Sequence, residues 1–542
     1  MSRFARLRAG FVERRAPATG DPTSDRLRAG FVERRAPATG DPTSDRLRAG
    51  LADRLRAGFV ERLNRRPSER LRDPQPLNRR PSERLRDPQP LIRKRLPSGR
   101  GAMEQPNVTS DGDAAITGKF WLMLVLTGVA TGLFADFMMF VLFNVQHLAF
   151  GYHSGSYESA VERASSLHRV ASLLVSGAIA GVAWYLLRRA TEGERSEVDE
   201  SIWAGDGKLS LRRCLGSGLI SEVVIGMGAS IGRENAPKLM GGAMGSVLAS
   251  WSGLSVPQRR LLVACGGGAG FAAVYNVPLA GSLFTAEVLL GSLSLPVIMP
   301  ALACSAIATA TAWIYLPIHA TYVDIPAYVF RPNLLVWALI AGPLIGLFAA
   351  AYIRLIGFVS HHRARGRWAI VSPLVAFGAL GLVGIAYPQL FGNGKDMAHD
   401  AFVGGGTLGL LIALAILKPL VTSACLGSGA TGGLFTPVMS TGAVFGGFCG
   451  LAWSYLWPGS PVGAYAMLGA SAMIGAGMQA PLSALALVLE LTHSGFGIMV
   501  PMAVATVLAT LVSRQIDGYS IYSARLAARP PAPTVGTDSR NS

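Results

Sequence analysis

Residues 276–287, "NVPLAGSLFTAE", recur 203 positions later as "QAPLSALALVLE", residues 479–490. Both open with Asn or Gln followed by x-Pro-Leu, and both place a glutamate nine residues after the proline, Glu287 and Glu490. The same offset pairs Gly266 with Gly469 and Ala272 with Gly475. Upstream lies a second related pair, "GRENAPKLMGG" from Gly232 and "GLFTPVMSTG" from Gly433, 201 residues apart. Each is a glycine-led turn followed by a proline, Pro237 or Pro437. A proline in the first turn of a helix loses an N–H that had no partner anyway, so both turns read as helix starts.

The setting of these repeats is apolar. Half of the 542 residues are hydrophobic and only 15% are charged. Stretches long enough to cross a bilayer recur from about Trp121 to Leu511, among them "LLVWALIAGPLIGLFAAAYI" and "IVSPLVAFGALGLVGIAY". The expected class is an all-α polytopic membrane protein. A duplicated module in such a chain places its ligand at the repeat interface near the bilayer midplane. Broken helices there offer unpaired N–H groups and positive dipole ends to an anion. A charge at that depth is costly and tends to face a cavity, so Arg233 and Glu234 mark the expected site.

The net charge of +17 belongs mostly to a tail. Residues 1–102 hold 26 Lys and Arg against 12 Asp and Glu, which leaves +14 of the total there. "RLRAGFVERRAPATGDPTSD" occurs twice in it, at 6–25 and 26–45, and "LNRRPSERLRDPQP" occurs at 63–76 and 77–90. Such Arg- and Pro-rich copies bury too little apolar surface to offset ordering entropy. The expected organisation is a disordered or mis-started tail over 1–102, with Met103 a plausible start. A transmembrane domain over 103–530 (halves 116–325 and 326–530) and a short tail over 531–542 follow. The five cysteines show no paired spacing and the histidines no ligand pattern, so neither a metal nor a cofactor is expected. No nucleic-acid partner is expected either.

These residues resemble the CLC family of chloride channels and chloride/proton exchangers. "GRENAP" is similar to that family's GREGP signature and "GGLFTP" to its GxFxP signature. "YNVPLAGSLFTAE", "APLSALALVLELT" and "GYSIYSARL" follow in the family's order over roughly 116–530. The resemblance implies a homodimer with one anion pathway per subunit and about eighteen helices in two inverted repeats. It makes Glu234 the gating glutamate. One wall of the anion site would come from Gly232, Arg233 and Asn235, and the other from Gly433, Leu434, Phe435 and Thr436. The N–H groups of Leu434 and Phe435 would hold the anion, and Tyr522 would add a hydroxyl from the last helix. The expected function is transport of chloride or a similar anion in exchange for protons; the alternative is a passive voltage- or pH-gated channel.

Three departures accompany the resemblance. The family's GSGIP loop, whose serine holds the central anion, has no match near 191–200. "CLGSGLIS" contains Gly-Ser-Gly, but Ser217 lies only 17 residues before Glu234. The internal glutamate of proton-coupled exchangers is matched by Val288, which leaves Glu287 as a possible proton relay. Only about a dozen residues follow the expected last helix, so the CBS domains of many relatives are not expected.

A remote alternative is an intramembrane hydrolase, since "GASIG" places Ser230 in a G-x-S-x-G pattern. That elbow needs a strand-turn-helix context, which this run lacks. The basic segments "LLRR" at 186–189, "HHRARGR" at 361–367 and "SRQIDGYSIYSARLAAR" at 513–529 read as cytoplasmic. The expected location is a cell inner membrane, multi-pass in the lipid bilayer, with both termini inside.

Overall fold

Polar caps divide the apolar sequence into helices. Thr117 accepts from Phe120 N–H at the start of the first helix, and left-handed Gly151 ends it after 33 residues. Ser165 and Ser255 cap later helices in the same way, the latter with Gln258 in a capping box. The computed structural model describes residues 116–526, in which there are 17 α-helices and no strand beyond one isolated bridge. The tail expected over 1–102, the residues through 115 and the C-terminal tail lie outside the described residues.

The first half runs α1 (Gly118–Phe150), α2 (Tyr157–Arg163), α3 (Ser166–Ala190), α4 (Val198–Trp203), α5 (Leu211–Gly226) and α6 (Asn235–Trp251). It continues with α7 (Val256–Tyr275), α8 (Pro278–Phe284, prolonged by a π turn over Thr285–Leu289) and α9 (Leu295–Ala312). The second half holds α10 (Pro332–His361), α11 (Trp368–Ala386), α12 (Lys395–Phe402) and α13 (Leu408–Gly427). It ends with α14 (Phe435–Ser454), α15 (Val462–Met478), α16 (Pro481–Thr492) and α17 (Met499–Ile516).

The same partnerships occur in both halves. α6 packs on α7 as α14 packs on α15, and α1 on α9 as α10 on α17. Equivalent helices also meet each other, α3 against α11 and α8 against α16, as elements beside a local twofold axis must. The α6–α7 and α14–α15 contacts close at matching glycines, Gly241 on Gly266 and Gly442 on Gly469, where no side chain keeps the backbones apart.

Eight described helices are long and apolar enough to cross a bilayer: α1, α3, α9, α10, α11, α13, α14 and α17. Several turn Leu, Val and Ile outward, whereas α15 is buried from Gly463 to Met478. A helix apolar on all sides is stable only inside such a bundle. α15 therefore lies in the middle of the domain.

Candidate functional site

The site begins where two helices restart. Gly228 (φ 117°) follows α5 and Gly429 (φ 105°) follows α13, each in a conformation that L side chains rarely adopt. Four residues after each, Gly232 and Gly433 form the isolated antiparallel bridge. Each donates its N–H to the other's carbonyl at 2.8 Å. Two equivalent turns thus meet across the axis, with no side chain between them. α6 starts at Asn235 and α14 at Phe435, so Pro237 and Pro437 are the third residues of their helices.

Glu234 caps α6 but points its carboxylate at the opposite helix. Oε1 accepts from Phe435 N–H at 2.6 Å. Oε2 accepts from the Tyr275 hydroxyl at 3.1 Å and lies 3.4 Å from Thr436 Oγ1. Tyr275 and Thr436 are themselves 2.6 Å apart. The carboxylate is buried and its charge lies against the positive end of α14. A negative group of one chain segment occupies a seat made by another.

Aromatic rings enclose the seat. Phe271 meets Phe284 at 5.0 Å and Phe435 at 4.8 Å between ring centres. Arg233 makes no ion pair with Glu234; its guanidinium lies 5.1 Å from the centre of the Tyr275 ring. Asn235 and Leu434 are buried beside the bridge. Tyr522 is also buried but sits in a turn before Ser523–Arg525, not in a helix, and makes no described hydrogen bond to Glu234. One turn along α6 from Glu234, Lys238 Nζ pairs with Asp199 Oδ2 at 3.0 Å and lies 4.8 Å from the centre of the Tyr522 ring. This ion pair is buried, and removing one partner would strand the other's charge.

The model of the family described as "Voltage gated chloride channel" matches residues 176–514. The chain belongs to that family. Among its relatives is a putative chloride channel protein ClcB-like of Ralstonia nicotianae, 31% identical over 69% of this chain and 90% of the relative. Another is the H(+)/Cl(-) exchange transporter ClcA of Vibrio campbellii, 29% identical over 65% of this chain and 78% of the relative. A slow cyanobacterial Cl-/H+ antiporter shares the fold with a TM-score of 0.66 at 22% identity, over 75% of this chain and 96% of that one. A CLC-type fluoride/proton antiporter does so with a TM-score of 0.62 at 19% identity, over 74% and 97%.

In this member of the voltage gated chloride channel family, the stretch 191–200 leads into α4 and brings Asp199 to Lys238. Ser217 is engaged elsewhere: Trp184 Nε1 donates to its hydroxyl at 3.3 Å. Val288 is buried within the π turn. Ser230 Oγ lies 3.4 Å from Thr422 Oγ1, and no described histidine hydrogen-bonds it. The elements of a hydrolase are not assembled there.

Glu287 and Glu490 have reciprocal partners. Glu287 accepts from Leu482 N–H at 3.2 Å and Ser483 N–H at 2.7 Å, at the start of α16. Glu490 accepts from Leu279 N–H at 3.1 Å and Ala280 N–H at 2.6 Å, at the start of α8. Each carboxylate satisfies N–H groups that a helix start leaves free, in the other half of the chain. Glu490→Leu is therefore expected to destabilise the protein by about 1–3 kcal/mol. A thermal unfolding midpoint in detergent equal to wild type would rule this out.

On the side opposite the basic helix ends, a cavity of about 270 Å³ opens next to Arg233 and is lined also by Glu158, Lys395 and Asp396. Burial, then the neighbouring carboxylates Asp400, Asp396 and Glu162, push Glu158 up to about 8. Sequence reasoning missed Tyr275, Lys238, Asp199 and Glu158. Of these, only the charge of Lys238 inside an apolar motif was a signal.

Proposed function

We propose that this protein moves chloride or a similar small anion across the membrane in exchange for protons, with Glu234 as the gate. One observation carries the reading: the Glu234 carboxylate accepts from Phe435 N–H at the head of α14. A carboxylate and a chloride ion are alternative occupants of such a positive seat. A proton on Glu234 removes its charge and frees the seat, so proton and anion occupancy are linked. Gly232, Arg233 and Asn235 would form one wall, and Gly433, Leu434, Phe435 and Thr436 the other. Lys238 and Tyr522 would meet the anion on the inner side. The names of the relatives, exchangers among them, support the same direction.

A passive pH- or voltage-gated channel is the second reading, and Val288 favours it, because no acid stands at that position. Purified protein in liposomes separates the two. An imposed chloride gradient is expected to drive protons uphill, read with a pH electrode. Chloride flux with no proton movement would select the channel.

The working assembly we propose is a homodimer with one pathway in each subunit. Leu279 and Leu482, at matching places on α8 and α16, are 49% and 47% exposed, an apolar surface that a second copy could cover. The basic ends of α3 and α10 suit the cytoplasmic side of a cell inner membrane, with both termini inside.

A further inference from the structure

Glu222 has no role in the site as described so far, yet it is fully buried and neither of its carboxylate oxygens has a hydrogen-bond partner. It lies on α5, one turn before the loop to Glu234. Four residues to either side on the same face are Gly218 and Gly226. A methyl on Gly218 would meet Ala236 at 3.2 Å and Met138 at 3.5 Å; one on Gly226 would meet Val145 at 2.7 Å and the Leu142 carbonyl at 3.2 Å. Glu222 therefore faces the seam between α1 and the start of α6.

The charges acting on it there are those of Arg233 and Glu234. Those on neighbouring elements are paired, turned elsewhere or exposed. On α1, Asp136 is buried without a hydrogen-bond partner but lies by the backbone of Tyr315 and Leu316 and is an acid, so it offers Glu222 no cation. His147 meets Tyr152, and Lys119 is exposed. On α3, His168, Arg169 and Arg188 bond carbonyls, and Arg189 is exposed. On α6, Lys238 holds Asp199. Arg233 is itself buried, with no acceptor for Nε. It lines the outer cavity together with Leu142 and Ile225, and Ile225 is one turn from Glu222.

An ionised carboxylate without a donor is untenable at such a site, so Glu222 is the neutral acid in this conformation. Arginine stays charged and cannot take the proton from it. Once ionised, Glu222 would be drawn to the cation whose charge acts on it, the Arg233 guanidinium.

We infer that Glu222 is a second proton-titrating side chain of the transport route, a positioning residue that sets the location of the Arg233 charge. Neutral Glu222 leaves the guanidinium over Tyr275 and beside the cavity, where it attracts an incoming anion. Ionised Glu222 draws the guanidinium inward and removes that attraction. Its proton comes from water in the cavity and returns there. The inference rests on the reading of Glu234 as the gate.

The test is chloride flux from liposomes against external pH, for wild type, Glu222→Gln, Glu234→Gln and the double variant. Gln keeps the shape of the neutral acid, and Glu222 has no hydrogen bond to lose, so folding should be preserved. Glu234→Gln is expected to keep a residual fall in flux of about tenfold from acid to alkaline pH. The double variant should be flat. Glu158→Gln in the Glu234→Gln background controls for the other acid of the cavity and should retain the residual fall. A Glu234→Gln profile that is already flat overturns the role of Glu222 and leaves the gate standing. A residual fall that survives in the double variant also overturns it. A Glu234→Gln profile identical to wild type overturns the gate itself. Should Glu222→Gln not accumulate, infrared spectra of Glu234→Gln that also carries Glu158→Gln supply the readout. A protonated-carboxyl band that persists at low pH and vanishes in step with the residual flux supports the inference, and its absence at every pH refutes it.

Discussion

Glu234→Gln is expected to abolish proton coupling and to keep anion flux high at alkaline pH. In wild type the ionised carboxylate holds the seat on Phe435 N–H, and the protonated form leaves it. Protonation opens and ionisation closes, so wild-type flux falls as pH rises. Above the titration midpoint the protonated fraction drops about tenfold per pH unit. A glutamine carries no charge at any pH and does not compete for the positive end of α14. The variant should therefore exceed wild type by about a hundredfold two units above that midpoint, less the residual fall assigned to Glu222. Proton uptake driven by a chloride gradient should vanish in the same preparation. Continued uphill proton movement in Glu234→Gln would exclude Glu234 as the carrier.

How much of this was legible beforehand depends on where the partners lie in the chain. Glu234, Pro237, Phe435 and Pro437 sit in two short motifs that repeat each other, and the repeat itself points to a shared interface. Tyr275 donates to Glu234 from 41 residues away, at the end of α7. Nothing in "VYNVP" marks that hydroxyl as aimed at the gate. Lys238 stands in the motif, but its partner Asp199 lies 39 residues upstream in a six-residue helix whose sequence does not match the family's GSGIP loop. Glu287 and Glu490 were visible as equivalent residues. That each caps the helix of the other half follows only from a twofold axis, because an axis turns one such contact into two. Composition and spacing carry no record of where the axis runs. The expectation of a final helix at Tyr522 met a turn instead, since Ile521 N–H is already committed to the Gly477 carbonyl at 2.8 Å.

Gly433→Ala is expected to act in the opposite direction from Glu234→Gln. Neither Gly433 nor Gly232 has a positive φ, so alanine fits the backbone at both. The difficulty is spatial: a methyl on Gly433 would overlap the Glu234 carboxylate, and a methyl on Gly232 would do the same. If the carboxylate were the only occupant of that space, its displacement would open the pathway and Gly433→Ala would resemble Glu234→Gln. If the anion takes the same seat once Glu234 is protonated, the methyl excludes both. Overpacking of this kind costs about 1–3 kcal/mol, which weakens anion binding roughly five- to 150-fold. Gly433→Ala should therefore lose flux at every pH. Combining it with Glu234→Gln should not restore flux, because the methyl remains after the carboxylate charge is gone. Rapid, pH-independent flux in Gly433→Ala would mean that gate and anion use different seats. The link between proton and anion would then have to run through a movement of the two turns, not through competition for Phe435 N–H.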